Sequence, residues 1–527
     1  PGFGGTVRAI RICGVRPGMQ LMLTGQSITV EKGRKIGLVD RIAAEDNWRQ
    51  AARELIAAAR PKRRAPFVER LLNLAFVRPL LKPVLVRQVA SKARREHYPA
   101  PYAMIDLWTR HGASPRSGYE AEARSFAKLM CTSTSRNLVR VFFLQNKLKN
   151  QGNKTDRKLE HVHVVGAGVM GGDIAAWCAL RGLDVTLQDR EQKYIDPALE
   201  RARELFGKKI RDADERAAAV ERLSADVAGE GVARADLVIE AIFENLEAKR
   251  DLYSAVESKL REDAVLATNT STIPLEQLRT NLRHPGRFIG LHFFNPVAKM
   301  PLVEVVRSTD SEQEALDLGF AFVRRIGKFP LECASAPGFV VNRILAPYMT
   351  EALRLVESGV AMPVVDRAAE KFGMPMGPVE LADSVGLDVV LHSSEVLGGA
   401  GGSAAEALQR KVEAGQLGRK SGEGFYRWEQ GKAVKPPVGN GSAPPDLEDR
   451  LILPMVNEAV ACLADGVVDD PDLLDAGVIF GTGFAPFRGG PIRYARERGI
   501  ATVVGRLEEF AGKYGDRFAP HAHWSNL

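Results

Sequence analysis

The sequence predicts an α/β protein with a Rossmann-type parallel sheet at its centre, helical segments before it and two similar all-α units after it. Three observations carry this expectation. Between about 158 and 335, short apolar runs alternate with amphipathic stretches, the texture of βαβ units on a parallel sheet. The run Val164-Val-Gly-Ala-Gly-Val-Met-Gly171 sets a GxGxxG turn directly between an apolar strand and a helical pattern. Beyond Pro337 the pattern turns helical and repeats. Glu351-Ala352, Ser358-Gly-Val360, Gly373 and Met376-Gly-Pro378 are echoed by Glu458-Ala459, Asp465-Gly-Val467, Gly483 and Arg488-Gly-Gly-Pro491.

Taken in order, residues 1–46 open on the Gly-rich Pro1-Gly-Phe-Gly-Gly5 and read as short helices and turns. Residues 47–157 are Arg- and Ala-rich with helical spacing, broken at Pro79, Pro83 and Pro101, and end in the polar linker Asn150 to Asp156. Strands are expected at 161–165, 184–188, 236–242, 264–268, 287–293 and 302–306, with helices over 171–181, 191–211, 246–260 and 312–326. The helical units cover 336–432 and 446–527, separated by the proline-rich loop from Lys435 to Pro445.

At 527 residues the chain exceeds what one ordinary core serves. Its 45% hydrophobic and 26% charged content is that of a soluble globular protein, and no run approaches the ~18 apolar residues of a membrane helix. Cys13, Cys131, Cys178, Cys333 and Cys462 are scattered without a CxxC, which suits a reducing compartment and argues against a disulfide framework or a metal site. Because the chain opens at Pro1 rather than Met, a fragment is expected, and a lost leader would leave no trace.

The net charge of +8 is uneven: residues 1–150 hold 28 Lys/Arg against 10 Asp/Glu, the remainder 45 against 55. Basic runs at Pro61-Lys-Arg-Arg64 and Lys92-Ala-Arg-Arg95 suit a solvated linker surface, an anionic lipid or an acidic partner. Nucleic acid is disfavoured, because no aromatics are interleaved with the charges.

The glycine turn is read as a dinucleotide site. Gly166 allows the tight turn, Gly168 lets the backbone approach a pyrophosphate, and Gly171 permits close helix packing, with Met170 between them. The helix N-terminus then offers free N–H groups to the phosphates. Asp189 follows the second strand about 20 residues on, placed to take the ribose hydroxyls and to repel a 2′-phosphate, so NAD is favoured over NADP. Asp173, on the first helical turn, is an awkward neighbour for a pyrophosphate.

Oxidising an alcohol with NAD requires a base for the hydroxyl proton, and histidine is suited to that task near neutral pH. His292 and Glu304 lie on successive strands, so a carboxylate could fix the imidazole tautomer. Taken alone, His292 would be read as a core residue and Glu304 as a solvated acid.

The runs GAGVMGG, NTST, GLHFFNP, LVEVV, PGFVVNRIL and FGMPMGPVEL, in this order between about Leu159 and Leu387, resemble the L-3-hydroxyacyl-CoA dehydrogenases of fatty-acid β-oxidation. The resemblance implies that His292 is the catalytic base and Glu304 its orienting partner, and that Ser271 and Asn342 hold the 3-oxygen and thioester region of an acyl-CoA substrate. Glu244 and Lys249 match positions lining the NAD site, and Asn295 of the His292 motif is grouped with them. Gly418 to Tyr426 fits the dehydrogenase C-terminal domain.

Both ends resemble the multifunctional β-oxidation proteins. Pro1 to Thr6 and Leu23-Thr-Gly25 look like the latter half of a crotonase (enoyl-CoA hydratase) domain. Phe142 to Gln145 resembles the helix joining hydratase to dehydrogenase, and Gly481 to Pro491 the second C-terminal repeat. The expected domains are a crotonase remnant at 1–46, a helical linker at 47–157, the Rossmann NAD-binding domain at 158–335 and dehydrogenase C-terminal repeats at 336–432 and 446–527. The family's hydratase glutamates and oxyanion loop precede PGFGG and are absent here, so no hydratase activity is expected and the remnant lacks most of its core.

A bifunctional hydratase–dehydrogenase in a longer parent stays open. A crystallin-like scaffold is disfavoured by the joint retention of Ser271, His292, Glu304 and Asn342. A β-hydroxyacid dehydrogenase leaves HFFNP and PGFVVNR unexplained. The family suggests a thiolase partner, the basic linker a peripheral membrane contact. The expected location is bacterial cytoplasm, with the mitochondrial matrix as alternative.

Overall fold

The computed structural model describes residues 2–59, 63–397, 403–437 and 443–527. Pro1, part of the Pro61-Lys-Arg-Arg64 run and the middle of the Lys435–Pro445 loop lie outside them. The chain divides into two compact units, residues 1–139 and 140–527.

The first unit is helical. Its opening helices, Gly5–Cys13 and Val15–Thr24, share a core with later ones: Ile10, Val15 and Met19 pack around Trp108. Buried Glu122 accepts hydrogen bonds from the backbone N–H of Gly4 and Thr6 at 2.6 and 2.9 Å, satisfying orphan donors at a helix start. The segment expected to lack a core thus borrows one from the helices that follow it.

In the second unit, eight strands among the described residues form one sheet in the order β3-β2-β1-β4-β5-β6-β7-β8. They are β1 His161–Val165, β2 Asp184–Gln188, β3 Leu223–Ala225, β4 Leu237–Glu240, β5 Val265–Thr268, β6 Phe288–Phe293, β7 Leu302–Arg307 and β8 Phe329–Ala334. Helices α1 (Val169–Leu180), α2 (Gln192–Lys209), α3 (Leu246–Glu257) and α4 (Gln313–Arg325) flank it. Strands β4, β5 and β6 are buried along their whole length, which is why they read as continuous apolar runs.

The sheet departs from the all-parallel expectation at one place. β7 runs antiparallel to β6, because the connection 294–301 is too short for the dozen or more residues of a crossover. β8, parallel to β7 at the sheet edge, was not foreseen, since Pro330 demotes such a run; an edge tolerates it.

The helical remainder bears out the internal repeat. α5 (Val341–Glu357), α6 (Met362–Phe372), α7 (Pro378–Val385), α8 (Leu387–Val396) and α9 (Ser403–Glu413) form the first copy. A small hairpin, Arg427–Glu429 with Lys432–Val434, follows. α10 (Leu447–Ala464), α11 (Pro471–Thr482) and α12 (Pro491–Arg498) begin the second copy. Pro347 of α5 and Pro454 of α10 occupy equivalent positions, and around them the two helices exchange ion pairs. Arg343 Nε lies 2.6 Å from Glu458 Oε1, while Arg450 Nε donates to Glu351 Oε1 at 2.9 Å. Residue for residue this is a self-complementary contact, as a twofold axis would make it. The loops match as well: Asp366 accepts from the Val379 N–H at 2.9 Å and Asp475 from that of Ile492 at 2.8 Å.

Candidate active site

The glycine turn follows β1 where the strand order reverses, at the carboxyl ends of the parallel strands, the usual place for a ligand in such sheets. Gly166 has φ of 102°, and a Cβ there would lie 2.6 Å from the Ala241 carbonyl oxygen. A Cβ on Gly171 would overlap the Gly166 carbonyl, so these two glycines answer to the protein itself. Gly168 does not: a Cβ there meets no protein atom within 4 Å. The open space lies at the N-terminus of α1, where a pyrophosphate would collect free N–H groups. The residues present therefore fit a dinucleotide.

Asp189 is fixed beside this turn, its Oδ2 accepting from the Ala167 N–H at 2.8 Å and its Oδ1 from the Arg190 N–H at 2.7 Å. Asp173 lies 3.7 Å from Arg201 Nε; burial raises its carboxyl above the ordinary aspartate range and Arg201 opposes the shift. Met170 is partly buried against the core below.

After β4 and β5, a polar knot holds the NTST segment. Glu244 Oε1 accepts from Thr270 Oγ1 at 2.5 Å and from the Ser271 N–H at 2.9 Å. Burial would raise this carboxyl, but Lys249 and these donors outweigh it and hold it below the usual glutamate range. Lys249, expected on the cofactor wall, lies beneath it and is 1% exposed. Its ammonium is drawn down between Glu240 at 2.6 Å and Glu244 at 3.3 Å. Glu240 also accepts from Tyr253 and Thr268 at 2.6 and 2.8 Å.

His292 and Glu304 are direct partners in the β6–β7 ladder, so their side chains share one face. His292 Nδ1 stands 2.6 Å from Glu304 Oε2, and both residues are buried. Glu304 Oε1 accepts from the Val340 and Val341 N–H groups at 3.1 and 2.9 Å, at the N-terminus of α5. The imidazole lies between the rings of Phe294 and Phe339, 4.6 and 5.6 Å away. Nε2 has no hydrogen-bond partner among the described residues. Nearby thiols stay protonated: burial raises Cys333, and Cys462 is pushed up to about 12.

Asn342, on the first turn of α5, donates to the Ser271 carbonyl at 3.3 Å, bringing the NTST and PGFVVNR runs together. Past Asn342 opens an apolar cleft lined by Leu345, Met349, Leu353, Leu381, Val390 and Leu408. Asn295 lies two residues beyond β6, in the 294–301 connection to β7, and is exposed.

Two residues escaped the sequence reading. Asn269 Oδ1 accepts from the Phe293 N–H at 2.9 Å and anchors the end of the His292 strand; its place in NTST was the available signal. Phe339, at φ of 50°, is fully buried against the imidazole, and only its position after Gly338 hints at the bend.

The pattern of the 3-hydroxyacyl-CoA dehydrogenase NAD binding domain matches residues 161–336, and that of the C-terminal domain residues 338–428. A fatty acid oxidation complex subunit alpha from Shewanella amazonensis is 36% identical over 551 residues, spanning 99% of this chain and 78% of the relative. A solved 3-hydroxybutyryl-CoA dehydrogenase from Escherichia coli K12 superposes with a TM-score of 0.61 at 26% identity, covering 70% of this chain and 98% of that one. The dehydrogenase part of multifunctional enzyme 1 from C. elegans shares the fold, with a TM-score of 0.54 at 23% identity, over 75% and 99% of the two chains.

Proposed function

The chain belongs to the family of fatty acid oxidation complex alpha subunits, with the NAD-dependent 3-hydroxyacyl-CoA dehydrogenase domains of that family, and on this premise we propose how its residues carry out the oxidation. The substrate is an (S)-3-hydroxyacyl-CoA and the product the 3-ketoacyl-CoA. NAD, when bound, supplies the hydride acceptor. His292 Nε2 takes the hydroxyl proton, while Glu304 holds Nδ1–H and stabilises the imidazolium that forms. Ser271 and Asn342 orient the 3-oxygen and the thioester, and the apolar cleft beyond Asn342 receives the acyl chain. Gly166, Gly168 and Gly171 admit the pyrophosphate, Asp189 the ribose, and Glu244 shapes the nicotinamide side through the NTST segment.

The observation that carries this reading is the buried His292–Glu304 contact at the end of a cofactor crevice. NADH consumption with acetoacetyl-CoA tests it. The chain should turn over, His292→Gln should abolish turnover, and NAD affinity should stay nearly unchanged. Near-normal turnover in that variant would remove His292 from its role.

The proposal extends to domains, partners and location. Residues 1–46 are read as the tail of a crotonase domain, and sequencing the coding region upstream of Pro1 tests this. The basic first unit exposes Phe67, Phe76 and Leu80, which supports a docking role toward a thiolase subunit or an anionic membrane. Capture of thiolase, against binding to anionic vesicles, each across a salt series, separates the two. Among the described residues no helix is long and apolar enough to cross a membrane, and the bacterial relatives support a cytoplasmic location.

A further inference from the structure

Lys328 sits between α4 and β8, outside every motif named above, and is 4% exposed. A lysine is ordinarily a surface residue that sends its ammonium to water. Here the ammonium turns inward. Nζ donates to the carbonyl oxygens of Val297 and Met300, each at 2.6 Å, and stands 4.8 Å from the centre of the Trp177 ring. Both carbonyls belong to the connection 294–301, which is also held by the buried Val297 side chain and by the Phe329 N–H donating to the Pro301 carbonyl at 2.7 Å. Without Lys328, two carbonyls in a tight bend would lose their partner.

That connection decides the chemistry. His292 meets Glu304 only because β6 and β7 pair in one register, His292↔Glu304. A slip of one residue would turn one of the two side chains to the opposite face. Trp177 lies on α1, the helix whose N-terminus faces the cofactor space, and its indole N–H donates to the Ile326 carbonyl at 3.0 Å. One ammonium thus touches both the cofactor helix and the loop between the two catalytic strands.

We propose that Lys328 is a positioning residue for the His292–Glu304 pair, acting through the 294–301 connection and tying it to α1. The assignment rests on the reading of His292 as the base. Burial pushes the Lys328 ammonium down to about 8; Cys178 of α1 opposes the shift and Arg181, just past the end of α1, adds to it. Of the groups facing Glu304, Cys333 and Cys462 are neutral thiols that do not compete for the imidazole.

The test uses the full chain and Lys328→Met, with acetoacetyl-CoA and NADH in one direction and 3-hydroxybutyryl-CoA and NAD in the other. In the folded variant kcat should fall by about tenfold while both KM values stay within about threefold, the signature of lost transition-state geometry. The acid limb of the kcat/KM profile should move down by about half a pH unit, because a longer Nδ1–Glu304 contact stabilises the imidazolium less. A merely structural lysine would lower thermal stability and leave that limb in place, and an unmoved limb or a kcat within about twofold of wild type overturns the proposal. If Lys328→Met does not fold, Lys328→Gln, an uncharged donor of shorter reach, is read in the same way, and a wild-type limb and kcat there also overturn it. His292→Gln is run alongside. Should it keep turnover, the base assignment falls; should it abolish turnover while the Lys328 variants stay at wild type, only the Lys328 assignment falls.

Discussion

Glu304 gives one oxygen to His292 and the other to a helix: Oε2 stands 2.6 Å from the imidazole Nδ1, and Oε1 takes two amides at the start of α5. A buried carboxylate needs every lone pair answered, and the helix N-terminus answers those the imidazole does not. Glu304→Gln separates the two duties. The amide oxygen can still cap α5, but the amide nitrogen presents a donor to Nδ1 and favours the wrong tautomer. We expect kcat to fall by about a thousandfold with little change in thermal midpoint, whereas Glu304→Ala loses both. Stopped-flow turnover and calorimetry on the two variants check this.

Gly168 and Gly171 make an opposite pair. Gly171→Ala places a methyl group into the Gly166 carbonyl and should lower the thermal midpoint by several degrees. Gly168→Ala meets only open space, so the fold should be unchanged while the Kd for NAD rises by about tenfold or more. Equal NAD affinity in a folded Gly168→Ala chain would place the pyrophosphate elsewhere.

Glu244 predicts an acid-side dependence. Its folded carboxyl titrates below the ordinary glutamate value, so its contribution to stability is complete above that ordinary value and is lost as pH falls through the folded one. The thermal midpoints of wild type and Glu244→Gln should differ near neutral pH and converge as pH falls through the folded carboxyl's lowered value. A constant difference would show that the Lys249 and Ser271 contacts do not depend on its charge.

The reciprocal pairs between α5 and α10 are equivalent in sequence and unequal in burial. Glu351 is 2% exposed and takes both Arg450 and the more open Arg517, so Glu351→Ala removes two charge-assisted contacts and should cost about 1.5–3 kcal/mol. Glu458 is more open, and Arg343 retains Asp465 at 2.6 Å, so Glu458→Ala should cost about 1 kcal/mol or less. Denaturant titration of the two variants gives the order.

Much of this was legible in the residues. Strands β1, β2 and β4 to β7 announce themselves as apolar runs, and the glycine turn is read by its neighbours. β3 is too short to show a period, and β8 is masked by Pro330 and Glu332. The antiparallel turn at β7 follows from loop length, a signal that was present and weighed less than the βαβ alternation. The ladder pairing of His292 with Glu304 needed the register, which spacing alone leaves undetermined. Lys249 was singled out but expected on the cofactor wall, and Lys328 was not singled out at all. Only the fold shows the carboxylates that draw Lys249 beneath the site and the carbonyls that draw Lys328 inward.

The duplicated helices also bear on what dilution can do to this protein. A contact of this self-complementary kind made by two chains would obey mass action and open at low concentration. Carried on one polypeptide, it has a fixed local concentration, roughly millimolar or above for a short tether, and no dissociation constant in the ordinary sense. Aligned on Pro347 and Pro454, Asn342 of the first copy corresponds to Asp449 of the second, which is bound by Arg498 and Arg506 at 2.5 and 3.2 Å. In the first copy this position reaches the Ser271 carbonyl; in the second it is an ion-paired aspartate that holds the helices together.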